Sequence, residues 1–286
     1  MAILLAALAH LGYAIGDLFG VVSSRRIGAK ATTFWVYFVL LMVFSFASFY
    51  FWDQVSLLTP EVVFLNIVLS AAVLFGYLAF VEALRIGNVP LVGAIAGAFP
   101  AIVVILSILF YKERLSLGQG LAITGVILGI ILSSVDIKNT LKRALHFDRS
   151  IKLSLIAFLA WGIFFTFIRT PIETYGWFWA NYISTIVGVA LAAAIGYRAI
   201  SLKEIKKPAN YIPAVATGLL TGGGTVAFSV AIETGASSIV APIAGSYPAL
   251  FALLAYILFK ERLTSQQLVG VVITLISIIV LAVLSA

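Results

Sequence analysis

Two ionisable residues stand seven positions apart in the first apolar run of the chain, His10 and Asp17. Seven residues make just under two helical turns, so the pair shares a face to within about 20° and is spaced about 10 Å along the axis. Tyr13 and Ala14 lie between them on that stripe. An ionisable side chain within a membrane span costs about 2.5–3.5 kcal/mol on insertion scales and usually faces a partner or a cavity. Imidazole titrates near neutrality. The stripe is read as a polar pathway, with His10 and Asp17 as candidate proton-coupling residues. The plainer reading has Asp17 near the cytoplasmic end, reaching toward Arg25.

A second constellation occurs twice. Gly97-Ala98-Phe99-Pro100 and Gly245-Ser246-Tyr247-Pro248 fall near the middle of the fourth and ninth apolar runs. Proline lacks a backbone donor and frees the carbonyl four residues earlier. Inside a bilayer such a break survives where protein or a water-filled cavity satisfies the freed group. The pair is read as a midplane site in which Phe99 and Tyr247 offer stacking faces, or else as ordinary kinks with glycines for close packing. Tyr77 and Thr225 each follow a glycine, Gly76 and Gly224, and Trp161 lies in the sixth run. All three are candidate cavity residues. Gly222-Gly223-Gly224 is unusual inside a helix, where glycine costs about 1 kcal/mol against alanine. Helix packing or approach of substrate to bare backbone would each account for it. Glu82, Arg85 and Glu233 fall at the ends of the third and eighth runs. Glu82 and Arg85, three apart, are spaced to pair, and the three are read as interfacial anchors or salt-bridge gates. Lys112-Glu113-Arg114-Leu115 and Lys260-Glu261-Arg262-Leu263 are read as turn-and-anchor segments.

These residues need elements that hold them in lipid. Of 286 residues, 63% are hydrophobic and 10% charged, and the mean hydropathy is +1.16. A soluble domain carries about a quarter charged residues, so this chain has too little polar surface to cover a globule. A span needs roughly 20 apolar residues. Ten candidates follow, at about 2–22, 33–52, 62–84, 89–110, 117–135, 151–168, 177–197, 211–232, 237–259 and 266–285. The runs are continuously apolar and do not alternate as barrel strands do. The first has no basic stretch ahead of it and is read as a retained helix, not a cleaved signal.

An internal repeat organises the spans. Residues 79–135 align with 227–283 at a constant offset of 148, without gaps, with about a third of positions identical. Gly97 falls on Gly245, Pro100 on Pro248, and Lys112-Glu113-Arg114 on Lys260-Glu261-Arg262. Five spans per half is an odd number, so the second half enters the membrane from the opposite side. The expected fold is all-α and integral to the membrane, with ten transmembrane helices in two inverted five-helix repeats. The repeats cover 1–135 and 151–286, joined by a charged linker at 136–150. Inverted repeats are a recurrent transporter design with the substrate site near the midplane.

Fifteen of the 18 Lys and Arg residues lie in connectors on the side opposite the N-terminus. The positive-inside rule makes that side cytoplasmic, which places both termini outside. The net charge of +7 is thereby explained by orientation, and nucleic acid is not an expected partner. With no cysteine, two distant histidines and no carboxylate–histidine metal spacing, neither an enzyme, a metal site nor a cofactor is expected.

With the repeat, the proline-containing spans and the two Lys-Glu-Arg-Leu turns in view, the chain resembles the EamA-like branch of the drug/metabolite transporter superfamily over essentially its whole length. The resemblance is carried by Ala83-Leu84-Arg85-Ile86-Gly87, Phe99-Pro100 and Lys112-Glu113-Arg114-Leu115 in the first half. Trp161-Gly162, Gly235, Tyr247-Pro248 and Lys260-Glu261-Arg262-Leu263 carry it in the second. The sequence departs from the family in having His10-Leu11-Gly12 where a Trp-Gly pair is common, and in the termini-out orientation. The resemblance implies a secondary transporter of the plasma membrane moving a small metabolite, an amino acid or related compound, by export. It also implies a cavity lined by the first, third, fourth, sixth, eighth and ninth spans. Protons are a candidate second partner, after the metabolite and the bilayer. A passive channel or cation-permeation protein of the same fold is the alternative, disfavoured by the lack of an acidic ring.

Overall fold

The computed structural model describes residues 1–86, 92, 95–134, 149–196, 198, 200, 206–259 and 264–285. Every regular element among them is a helix. Lipid offers no hydrogen bonds to a backbone, so a continuous apolar run has to satisfy its own amides and carbonyls.

Helices α1 (Ala2–Ile27) and α2 (Ala29–Ala47) meet at Gly28, whose φ of 82° turns the chain between them. A 3-10 helix, Ser48–Leu57, continues α2 and exposes Phe49, Tyr50 and Trp52, as an aromatic belt at a membrane surface would. Then follow α3 (Pro60–Ile86), α4 (Pro100–Tyr111), α5 (Leu117–Ser134), α6 (Arg149–Phe167) and α7 (Arg169–Gly196). The chain ends with α8 (Pro208–Thr234), α9 (Ser237–Gly245), α10 (Tyr247–Phe259) and α11 (Ser265–Leu284). Among the described residues seven helical segments are long and apolar enough to cross a membrane, and Ile95–Tyr111 and Leu117–Ser133 are shorter apolar helices. The linker 136–148, Gly87 to Leu91 and the second Lys-Glu-Arg-Leu turn at 260–263 lie outside the described residues, as does the Arg85 side chain.

Two boundaries differ from expectation for a local reason. The seventh run was expected to start at 177, whereas α7 starts at Arg169. It is bent at Tyr175 and Gly176, the latter at φ 84°, so the long straight part does begin at Trp177. The ninth run is not one helix. It is two, α9 and α10, hinged at Ser246.

The helices pair in a regular scheme: α1 packs on α8, α3 on α6, α2 on α7, α4 on α9 and α5 on α11. Glycines set the closest of these approaches. On α1, Gly12 and Gly16 face α8 so tightly that a Cβ on Gly12 would lie 2.8 Å from Leu220 O, and one on Gly16 2.5 Å from Thr221 Cγ2. Lipid tails are as apolar as leucine, so van der Waals contact at small residues is what holds such helices together. The glycine triplet of α8 serves the same purpose. Gly222 abuts Leu40 and Gly224 abuts Ala9 and Tyr13, while Gly223 faces open space.

A buried polar network fastens α3 to α7. Asn66 donates to Tyr175 Oη at 2.9 Å and Ala180 O at 3.0 Å, and Ser70 donates to Ser184 Oγ at 2.8 Å. Asn181 extends it to α8 by donating to Ser229 Oγ at 2.9 Å.

Candidate functional site

Two broken helices face each other at the centre of the molecule. On the first, Ala98 and Phe99 form a turn between Ile95–Gly97 and α4. The carbonyl that Pro100 frees, Ala96 O, is taken up by Phe99 N–H at 3.2 Å. On the second, the carbonyl that Pro248 frees, Ala244 O, accepts from Ser246 N–H. Each proline begins a new helical segment, where its missing donor costs nothing.

The breaks contact each other reciprocally. A Cβ on Gly97 would lie 3.5 Å from Pro248 Cγ, and one on Gly245 would lie 2.7 Å from Pro100 Cγ and 2.9 Å from Phe99 Cζ. The four residues are the ones that the offset of 148 pairs.

The α1 stripe lies along the second break. His10, 7% exposed, places Nδ1 3.1 Å from Ile243 O and 3.0 Å from Ser246 Oγ. Ser246 Oγ donates to the same carbonyl at 2.6 Å. A carbonyl only accepts, so Nδ1 carries the hydrogen, and Nε2 is left as the free ring nitrogen. One turn on, the Tyr13 ring meets Tyr247 edge-to-face at 5.6 Å, and its hydroxyl donates to Thr225 Oγ1 at 3.4 Å. The Tyr247 hydroxyl faces the Asp17 carboxylate. Tyr13 and Tyr77 lie within its electrostatic reach. Tyr77 shares a hydrogen bond with Thr33 and adjoins Tyr37. Thus α1, α3, α8 and α10 bring together Tyr13, Asp17, Tyr77, Thr225 and Tyr247. All five keep part of their surface accessible, while Ala14, Gly16, Leu18, Gly224 and Ser246 beside them are sealed. The cluster is polar and aromatic, and among the described residues Asp17 is its carboxylate.

Trp161 belongs to a second, drier wall. Its ring lies 5.9 Å from Phe99 and 5.1 Å from Phe80, and Phe99 stacks on Phe165 at 5.0 Å. Gly76 is required here, since a Cβ would stand 2.7 Å from Ala160 Cβ and 3.3 Å from the Trp161 indole.

Glu82 and Glu233 each have a partner among the described residues. Glu82 faces Arg149 at 3.9 Å. Glu233 accepts from Trp177 N–H at 2.8 Å and so caps the straight part of α7 behind the Gly176 bend. The sequence reading missed the more consequential acid. Glu113, whose side chain is 8% exposed, pairs with Arg169 and accepts from the N–H groups of Ser237 and Ser238, each at 2.8 Å. It therefore caps α9, a helix of the other half, where unsatisfied amides and the helix dipole favour an anion. Arg169 also binds Glu173 at 2.6 Å and sits 4.9 Å from the Tyr111 ring centre. Among the described residues no group of three or more His, Cys, Asp or Glu is placed to hold a metal ion.

Likeness to known proteins agrees with this architecture. A solved crystal structure of a protein superposes with a TM-score of 0.77 over 99% of this chain and 97% of that one, at 17% identity. At that identity the likeness is one of fold. An uncharacterized protein of Methanocaldococcus jannaschii is 27% identical over 139 residues, which are 48% of this chain and 98% of the relative. The model of the EamA-like transporter family matches residues 1–135 and again 149–283. A match over nearly the whole of a helical, lipid-compatible chain identifies it as a multi-pass membrane protein that belongs to the EamA-like transporter family.

Proposed function

We propose that the protein is a secondary transporter of the plasma membrane that exports a small metabolite, an amino acid or related compound. It works by alternating access through a central cavity between two inverted five-helix halves. The observation that carries the reading is the reciprocal contact of Gly97 with Pro248 and of Gly245 with Pro100. A two-fold relation between halves requires that a contact of one residue with its partner's counterpart be repeated with the roles exchanged. The relative of half this chain's length supports the five-helix half as the unit. Rocking of one half on the other about these breaks would expose the site to each side in turn.

In this scheme His10 and Asp17 couple transport to protons, with Nε2 of His10 and the Asp17 carboxylate as the exchanging atoms. The site's remaining lining residues position the metabolite. Glu82 and Arg85 stand at the cytoplasmic rim, Glu233 at the outer rim, and both termini lie outside.

Flux into proteoliposomes tests the proposal, with pooled amino acids and nucleosides offered with and without an imposed pH gradient. Saturable uptake with counterflow is the expected result, accumulating under the gradient and equilibrating without it. Substitution Asp17→Asn abolishes the gradient-driven component. Unsaturable flux would replace the carrier by a channel, and undiminished coupling in the Asp17 variant would remove the proton role.

A further inference from the structure

Among the described residues no cationic side chain pairs with Asp17. The basic side chains among the described residues are engaged or placed elsewhere: Arg169 with Glu113 and Glu173, Arg149 with Glu82, and Arg26 with the Ala209 carbonyl. Its neighbours are phenols, those of Tyr247, Tyr13 and Tyr77, and the first two rings meet edge-to-face at 5.6 Å. A buried charge is ordinarily paired, and insertion of an acid into a span is costly enough to need a reason. The other described acids stand at helix ends or in connectors, and Glu113, Glu82 and Glu233 each have a partner there. Asp17 differs from all of them in its depth and in its company.

We infer that the ligand supplies the missing cation, and that the substrates are monocationic amines carrying an apolar or aromatic body. This rests on the transporter reading and narrows its substrate class. Three features of the geometry select such a molecule. The carboxylate attracts an ammonium in a region where low dielectric strengthens the attraction. The rings of Tyr13 and Tyr247, edge-to-face at 5.6 Å, present faces and hydroxyl oxygens to a cation, as aromatic enclosures of ammonium groups do. Thr225 and Tyr13 hydroxyls stand beside it to accept the remaining ammonium hydrogens. Just as important, no Lys or Arg of the described residues pairs with Asp17, and none acts on it to receive a substrate carboxylate. A zwitterionic amino acid would place its carboxylate in the field of Asp17 with nothing to balance it, so a decarboxylated amine is favoured over its parent amino acid.

The test is equilibrium binding to the purified full-length protein in detergent micelles, by calorimetry at one fixed pH. Four probes share a phenyl ring: phenylethylammonium, neutral 2-phenylethanol, zwitterionic phenylalanine and anionic 3-phenylpropanoate. Phenylethylammonium is expected to bind at least tenfold more tightly than the other three. Asp17→Asn removes that preference, Asp17→Glu retains part of it, and Tyr247→Phe weakens it several-fold. Thermal unfolding of each variant separates loss of binding from loss of fold. Should Asp17→Asn fail to fold, the ranking of the four probes on the unaltered protein still decides. Equal binding of alcohol and amine, preference for phenylalanine, no binding of the amine, or an unchanged preference in folded Asp17→Asn would each overturn the assignment. Counterflow of phenylethylammonium and of the metabolite pools separates the two levels. Amine binding without any flux overturns transport and leaves the amine site. Flux of other metabolites that phenylethylammonium does not inhibit overturns the amine class and leaves transport.

Discussion

Gly245 and Pro100 touch across the two halves so closely that one added methyl would stand 2.7 Å from the proline ring, whereas the counterpart pair, Gly97 and Pro248, leaves 3.5 Å. The contact is symmetric in identity and unequal in tightness. Gly245→Ala is expected to lower stability by about 1–3 kcal/mol, as overpacking of a filled interior does. Gly97→Ala meets only ordinary contact and gains helix propensity, so it is expected to be neutral or stabilising by up to about 1 kcal/mol. Thermal unfolding midpoints of the two variants in the same detergent check the inequality.

Glu113 joins the turn after α4 to the start of α7 and to the first amides of α9. Glu113→Ala leaves Arg169 short of a partner and two amides uncapped, at a cost of about 2–4 kcal/mol. Glu113→Gln keeps an acceptor for one amide and is expected to lose less. The chain has no cysteine, so a single cysteine at Ser237 gives a clean reporter. Its labelling by an impermeant maleimide should accelerate several-fold when Glu113→Ala is added.

Close packing of α1 on α8 gives a graded series along one helix. Gly12→Ala places a Cβ 2.8 Å from Leu220 O, a backbone atom that cannot swing away, whereas Gly20→Ala places one 3.5 Å from Thr217 Cγ2. A loss of about 1–3 kcal/mol is expected for the first and little change for the second. Unfolding midpoints and the monodisperse fraction after extraction would show the gradient or its absence.

Orientation is open to the same cysteine chemistry. With both termini outside, a cysteine at Ser56 is expected to react with impermeant reagent on intact cells, and one at Lys207 only after permeabilisation. The reverse pattern would turn the molecule over while leaving every internal contact as described.

Much of this architecture was legible in the order of residues because the signals are local or repeated. Apolar run length marks the spans, and the proline breaks and their pairing by 148 positions mark where two helices fail. What escaped depends on partners far along the chain. Glu113 reads as part of a charged turn, and nothing nearby in sequence shows that its carboxylate reaches Ser237 and Ser238, more than a hundred residues away. The Asn66 network joins α3 to α7 in the same manner. Glu82 also faces Arg149 at the start of α6, a partner that spacing along its own helix does not show. The spacing Gly12-Gly16-Gly20 did carry a usable signal for the α1–α8 seam, the small-residue period that marks tight helix pairs in lipid.

His10 and Ser246 are 236 positions apart in the chain. At about 5–20 residues per second of synthesis, α1 waits roughly 10–50 s in the bilayer before the residues that engage its imidazole leave the ribosome. During that interval a histidine and an aspartate must be tolerated in lipid without their final neighbours. The insertion machinery, or a temporary helix partner, has to shelter the first span until nearly the last is made.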